Sequence, residues 1–127
     1  NVSFEDLISK SDIISFHCKA PKDGKPMITK EHYKKMKPTS YIINAARGNI
    51  VDEKDLNEAL NEGLIAGAAV DVFSKEPAKE NILFNNPKVI ATPHIAASTT
   101  EASIVVAEMV ANQISDFLLK GIKLNTV

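Results

Sequence analysis

Short extended segments alternate with helical segments along this 127-residue chain, and that alternation limits the possible folds more than any other feature. The extended segments are apolar and rich in β-branched residues, and residues typical of turns bound them, as expected of buried strands. Strands separated by helices favour one parallel sheet joined by right-handed crossovers. The sequence therefore predicts an α/β fold, with strands at residues 12–18, 41–44, about 65–72 and 88–91.

Helix-capping signals mark where the intervening helices begin and end. The final helix is the longest, because Ser98 and Glu101 have the spacing of a capping box and the helical pattern continues to Gly121. Apolar residues nearly surround this helix, at about 98–120, so we expect it to be buried between partners. The shorter helices are predicted to begin at Ser3, Thr29 and Asp52, and the third of them to end at Gly63.

Charge and composition argue against several classes of partner. A count of 15 basic against 16 acidic residues gives a formal net charge of -1, which offers no basic surface to nucleic acid or to an anionic membrane. No apolar run approaches the ~20 residues that a membrane helix needs. Cys18 is the only cysteine, so the chain has neither an internal disulfide nor a Cys-x-x-Cys pair. This composition suits a reducing compartment, and we expect a cytoplasmic protein.

Chemically capable side chains follow the predicted strands, at the edge where open parallel sheets bind ligands. Cys18 follows the first strand and Arg47 the second. Asp71 ends the third strand, Glu76 follows soon after it, and His94 comes after the fourth. This combination favours a redox or acid/base site. The positive charge of Arg47 argues against a metal site, and the lack of a Gly-x-Ser-x-Gly sequence argues against hydrolysis by a serine nucleophile.

Each of these side chains also has a structural interpretation when the residues are taken alone. Arg47 could cap or pair with a neighbouring helix, and Glu76 could be a solvated turn residue. His94 could make only structural hydrogen bonds, the role we assign to His17. His32 lies among charged residues and is interpreted as part of a solvated helix face.

Five sequence blocks, in order and spanning nearly the whole chain, point to one family. They are Ser11–His17, Met36–Pro38, Ile43–Asp52, Ala66–Pro77 and Thr92–Thr99. Together they resemble the successive signatures of the D-isomer-specific 2-hydroxyacid dehydrogenases. The resemblance implies a Rossmann-like, doubly wound parallel sheet that binds NAD, and transfer of a hydride between NAD and a small D-2-hydroxyacid or 2-oxo acid.

The resemblance also implies a role for individual residues. Arg47 matches the residue that binds the substrate's carboxylate and carbonyl, His94 the general acid/base, and Glu76 the carboxylate that holds it. An imidazolium and a guanidinium fork suit this chemistry, because the 2-oxo acid carries a carboxylate and develops alkoxide charge. Asp71 matches the residue facing the nicotinamide carboxamide, and Arg47 and His94 also border the cofactor. The other positions that match the cofactor lining are Cys18, Ala45, Ala46, Ala96 and Ala97.

The family's phosphate-binding signature is missing from the sequence. None of the five glycines forms Gly-x-Gly-x-x-Gly, the turn that holds a dinucleotide's pyrophosphate. We therefore interpret residues 1–127 as the nicotinamide-side part of an NAD-binding domain. The glycine turn, the ribose-binding acidic residue and most of a substrate domain are expected upstream, with the helix at 98–120 leading back to that domain. The resemblance further implies a homodimer or homotetramer.

Substrate identity depends on two shorter segments. Ala97–Ala102 and Leu124–Val127 look most like family members that oxidise D-3-phosphoglycerate to 3-phosphohydroxypyruvate, a step of serine biosynthesis. Reduction of glyoxylate or hydroxypyruvate, and oxidation of D-lactate, remain open. A different class of function also remains open, namely an NAD-sensing transcriptional corepressor that keeps these motifs but acts by binding partners.

Overall fold

A computed structural model describes residues 1–125, and it confirms the predicted parallel α/β architecture. Thr126 and Val127, which belong to the segment used above to predict the substrate, lie outside the described residues. The chain divides into two compact units, Asn1–His94 and Ile95–Val127. The first unit contains the whole sheet, and the second contains the long final helix.

Four parallel strands form the sheet in chain order, β1-β2-β3-β4. The second strand has the predicted bounds, whereas the predictions for the other three were too long. Because β2 has only four residues, it pairs with only four residues of β1 and four of β3, which limits the regular length of both neighbours. The strands are β1 (Ile13–Phe16), β2 (Tyr41–Asn44), β3 (Gly67–Val70) and β4 (Val89–Ala91).

Three helices of the first unit begin after the predicted capping residues. They are α1 (Phe4–Lys10), α2 (Lys30–Tyr33) and α3 (Glu53–Asn61). The Ser3 side chain accepts a hydrogen bond from the backbone N–H of Asp6, and the Asp52 side chain accepts one from that of Asp55. Gly63 adopts the left-handed conformation (φ 72°) that a glycine stop requires. The sequence did not predict the short 3-10 turn at Gly48–Ile50.

One face of the sheet forms the core of this unit. Alternate residues of β1 and β2 are buried, including Ile14, Phe16 and Ile42. They belong to the same apolar cluster as residues of the helices, such as Leu56 and Leu60 of α3, both fully buried. Burial of each such side chain contributes about 1.5–3 kcal/mol. This packing fixes the carboxyl ends of all four strands, and the loops that follow them, at one edge.

The second unit is dominated by α4 (Thr100–Lys120). Its N-cap is Thr99, whose side chain accepts from the N–H of Ala102, so the prediction of Ser98 was wrong by one residue. The helix ends at Gly121, as predicted, and Gly121 adopts the left-handed conformation. Within the described residues, none of the helix is buried, and burial between partners stays a prediction. Contrary to the expectation from apolar runs in the sequence, α4 is long and apolar enough to cross a membrane, a criterion that core helices of soluble proteins meet too.

Candidate active site

The loop after β2 is shaped by a buried asparagine that the sequence interpretation missed. Asn44 is fully buried; its Oδ1 accepts from the N–H of Ala46 at 3.2 Å, and its Nδ2 donates to the carbonyl of Arg47 at 3.0 Å. These two bonds turn the chain sharply at the end of the strand. The Arg47 side chain is exposed, and its Nη1 donates to the carbonyl of Ala46 at 2.6 Å. The guanidinium is therefore held over the end of β2 with its other donors available to a ligand.

Glu76 and His94 form a hydrogen-bonded pair across two loops. The carboxylate Oε2 of Glu76 lies 2.7 Å from Nδ1 of His94, and its Oε1 accepts from the N–H of Phe73 at 2.9 Å. Engagement of Nδ1 leaves Nε2 as the ring nitrogen that can exchange a proton with a substrate. The pair therefore has the geometry of an acid/base residue oriented by a carboxylate.

The electrostatics of Glu76 agree with that geometry. The hydrogen bond with His94 is the main reason that the pKa of Glu76 lies below its ordinary value, and the Phe73 N–H lowers it further. Desolvation and the nearby Asp71 act in the opposite direction but are weaker. Glu76 is thus ionised at neutral pH and presents its negative charge to Nδ1 of His94.

The backbone at His94 is strained. Its φ of 56° places it in the left-handed region, which residues other than glycine rarely occupy. Such a conformation costs of order 1–3 kcal/mol, and these positions cluster at functional sites. The strain supports a functional rather than a purely structural interpretation of His94.

Arg47, Glu76 and His94 line one cavity of about 260 Å³. The structure therefore brings together the three residues predicted to be catalytic, although they lie far apart in the sequence. A guanidinium, a carboxylate and an imidazole around one small cavity can bind a carboxylate ligand and move a proton beside it.

Gly48 allows the loop carrying Arg47 to pack directly on the loop carrying Glu76. A Cβ atom at this position would overlap the carbonyl carbon and oxygen of Phe73 and crowd the N–H of Ser74. Because these are backbone atoms, the overlap cannot be relieved by rotating a side chain, and one of the two loops would have to shift. Glycine is required here for close approach of the two chains.

We expect Gly48→Ala to destabilise the protein, because the added methyl group forces the two loops apart. Overpacking of this kind costs about 1–3 kcal/mol. Urea unfolding of the full-length protein should show the loss, with Asn49→Ala as the control, since that exposed neighbour gains no atom against Phe73. Equal unfolding midpoints for the two variants would contradict the close packing.

A second cavity lies beside the first and contains part of the predicted cofactor lining. It measures about 450 Å³, and Cys18, Ala45, Ala46 and Arg47 are among its lining residues. Asp71 is 7% exposed and accepts a hydrogen bond from the Thr92 hydroxyl, which joins the ends of β3 and β4. Asp71 and His94, also predicted to border the cofactor, are not among the lining residues of this cavity. Ala96 and Ala97 belong to the second unit.

Comparison with known proteins gives a consistent result. Residues 1–96 match the family described as D-isomer specific 2-hydroxyacid dehydrogenase, NAD binding domain. A D-3-phosphoglycerate dehydrogenase from Bacillus subtilis is 45% identical over 115 residues, which cover 91% of this chain and 22% of the relative. A glyoxylate reductase from Thermofilum pendens is also 45% identical, over 95% of this chain and 37% of the relative.

A solved structure agrees with the sequence matches. The D-lactate dehydrogenase with NAD⁺ from Lactobacillus jensenii superposes with a TM-score of 0.77 at 29% identity, covering 99% of this chain and 42% of that one. The chain thus spans between 22% and 42% of the length of these three proteins.

Proposed function

Because the chain belongs to the D-isomer specific 2-hydroxyacid dehydrogenases, we propose that its parent protein interconverts a D-2-hydroxyacid and the corresponding 2-oxo acid with NAD. The observation that carries the proposal is the meeting of Arg47, Glu76 and His94 around one cavity. Residues 1–127 supply the nicotinamide side of the NAD-binding domain. A substrate domain and a glycine-rich phosphate turn complete the enzyme.

The residues present fit the nicotinamide end of NAD. Small side chains, Ala45 and Ala46, together with Cys18, leave a cavity in which a flat ring can approach the sheet edge. We assign them to the cofactor, with Asp71 holding the carboxamide. Ala96 and Ala97 are assigned to the cofactor from the family resemblance of their sequence block. When bound, NAD supplies or accepts the hydride.

Each of the three catalytic side chains has a separate role in the reaction. Arg47 binds the carboxylate of the substrate through its guanidinium fork and orients the carbonyl. During reduction, the imidazolium of His94 donates its Nε2 proton to the carbonyl oxygen as negative charge develops there. During oxidation, neutral Nε2 accepts the hydroxyl proton. Glu76 holds Nδ1, fixes the ring and stabilises its protonated form.

We propose D-3-phosphoglycerate as the substrate, with glyoxylate as the second candidate. The sequence after His94 supports the first, and the equal identity to a glyoxylate reductase supports the second. The test measures NADH formation or consumption by the full-length protein with 3-phosphoglycerate, glycerate, D-lactate and glyoxylate. We expect the highest kcat/KM with 3-phosphoglycerate. NAD binding without turnover of any of the four would contradict the enzymatic proposal and favour a corepressor.

We further propose a soluble, cytoplasmic homodimer or homotetramer. The exposed apolar side chains of α4, among them Ile104, Met109 and Phe117, support a role for that helix in contacts with other parts of the assembly. Mass measurement of the full-length protein in solution tests this, because a monomer at micromolar concentration would contradict it.

A further inference from the structure

Glu76 lies on a long connection between β3 and β4, in an exposed stretch between Phe73 and Leu83, which are anchored in the core. Residues 71–88 contain no regular helix or strand. Glu76 and the residues that flank it are exposed, so burial does not hold the carboxylate in place. Its local support is the N–H of Phe73, which belongs to the same connection. The direction in which Glu76 meets His94 therefore depends on how the connection itself is fixed.

Glu53, at the start of α3, fixes this connection at two points on either side of Glu76. Its Oε1 accepts from the N–H of Ser74 at 2.7 Å. Its Oε2 accepts from the hydroxyl of Ser74 at 3.0 Å and from Nδ2 of Asn81 at 2.9 Å. One carboxylate thus receives three hydrogen bonds from the residues that bracket Glu76, and hydrogen bonds to a charged acceptor are stronger than neutral ones.

Two consecutive peptide N–H groups connect the two carboxylates. The N–H of Phe73 donates to Glu76, and the next N–H, that of Ser74, donates to Glu53. These N–H groups belong to two adjacent planar peptide units that meet at the Cα of Phe73, a buried residue, so only the two backbone torsions of Phe73 separate them. A displacement of Ser74 is therefore passed to the Phe73 N–H, which orients Glu76, through one residue.

The position of Glu53 in the chain also links the two halves of the catalytic set. It follows Asp52, the N-cap of α3, at the end of the segment that begins with Arg47. The first turn of a helix is a favourable place for a carboxylate, because the helix dipole presents partial positive charge there. The segment that bears Arg47 and the connection that bears Glu76 are therefore joined by one side chain.

We propose that Glu53 is a positioning residue for the Glu76–His94 pair, and that it acts by holding the Ser74–Asn81 segment in the conformation that directs Glu76 at Nδ1 of His94. This inference rests on the proposed function for its catalytic consequence. It assigns Glu53 no contact with substrate or cofactor. The charged groups near the pair include Arg47, in the same cavity, Asp71, and Lys75, which precedes Glu76 in the chain.

The test replaces Glu53 by Ala and by Gln in the full-length protein. Glu53→Ala removes both acceptor oxygens and with them all three hydrogen bonds, and misplacement of a catalytic group by such a change lowers kcat for 2-oxo acid reduction by about 10-fold or more. The basic limb of the reduction profile should move to lower pH, in the direction expected for Glu76→Gln but less far. Glu53→Gln keeps one acceptor oxygen, so its kcat and the position of its basic limb should lie between those of the parent and of the Ala variant. It provides the test if the Ala variant does not fold.

Asn57→Ala provides the matched control. Asn57 lies on the same helix and accepts from Nδ2 of Asn86, at the far end of the same connection, at 2.8 Å. It should lower stability without moving the pH profile. In a Glu76→Gln background, Glu53→Ala should lower kcat by less than about 3-fold. If Glu53 acts through Glu76, the effects of the two substitutions are not additive. An equal kcat loss with and without Glu76, or an equal pH displacement in Asn57→Ala, would overturn the proposal.

A measurement without turnover separates this inference from the proposed function. In protein labelled with ¹⁵N-histidine and free of substrate, the Nδ1–H proton of His94 should be protected from exchange by its bond to Glu76. That protection should fall in both Glu53 variants and persist in Asn57→Ala. Unchanged protection in the Glu53 variants would refute the positioning role, whatever activity the protein has. If the Glu53 variants lose protection but the parent protein turns over none of the four substrates, only the proposed dehydrogenase function is refuted.

Discussion

Replacement of His94 by Gln should lower kcat/KM for reduction of the 2-oxo acid by about 10²–10⁴-fold, the usual contribution of a positioned acid/base group. Glutamine is close in size and can accept or donate a hydrogen bond, but it cannot deliver a proton to the developing alkoxide. The loss should appear mainly in kcat, and the affinity for NAD, measured by calorimetry, should change little.

His32→Gln is the control for this variant. His32 lies on α2, and its Nδ1 accepts from the N–H of Thr29, the N-cap residue. Glutamine is a normal residue at this position of a capping box, so the helix should be preserved. A His94 variant that retains more than about a tenth of parental kcat/KM would remove His94 as the acid/base.

Replacement of Arg47 by Lys should have the second largest effect, chiefly on the 2-oxo acid. Lysine keeps the charge but lacks the planar fork that meets a carboxylate through two parallel bonds. Loss of one charge-assisted hydrogen bond of about 1.5–3 kcal/mol corresponds to a fall in kcat/KM of about 10- to 150-fold. Arg47 is the only arginine among residues 1–127, so no other residue of this segment can offer this geometry.

Steady-state kinetics with substrate and cofactor varied separately will test this prediction. The KM for NADH should change much less than that for the 2-oxo acid. Lys37→Arg, a change of the opposite kind in a residue that forms an exposed ion pair with Asp12, serves as the control. If kcat/KM for NADH falls as much as kcat/KM for the 2-oxo acid, Arg47 supports the cofactor instead of the substrate's carboxylate.

The sheet and the positions at its carboxyl edge could be predicted because they depend on local patterns. The strand at Tyr41–Asn44 has the predicted bounds, and the caps at Ser3 and Asp52 are those expected. The meeting of Arg47 with His94 then follows from topology alone, because parallel strands place their carboxyl ends together. Strand lengths were less predictable, since pairing depends on the neighbouring strand.

The supports of the site could not be predicted, because they depend on contacts between distant segments. Glu53 has the sequence context of an ordinary first-turn carboxylate, and only the fold shows that it accepts from Ser74 and Asn81. The need for glycine at position 48 comes from the backbone of Phe73, which is distant in sequence. Asn44 at the end of a strand was the one local signal, since asparagine often bonds to nearby backbone.

The lowered pKa of Glu76 predicts how the site responds to pH. Because the His94 hydrogen bond favours the ionised carboxylate, the stabilisation from this pair is fully present above the ordinary pKa of Glu76. It is lost as the pH falls through the lowered pKa in the folded state. At neutral pH the negative charge of Glu76 is therefore constant.

The most direct test of the account is the pH dependence of kcat/KM in both directions for the parent enzyme and Glu76→Gln. Glutamine keeps a hydrogen-bonding group but removes the charge that stabilises the imidazolium. The basic limb of reduction should therefore move to lower pH by about 1 unit, and oxidation should persist further into acid. Profiles that keep their midpoints, or that move to higher pH, would contradict the pairing of Glu76 with His94 as the acid/base unit.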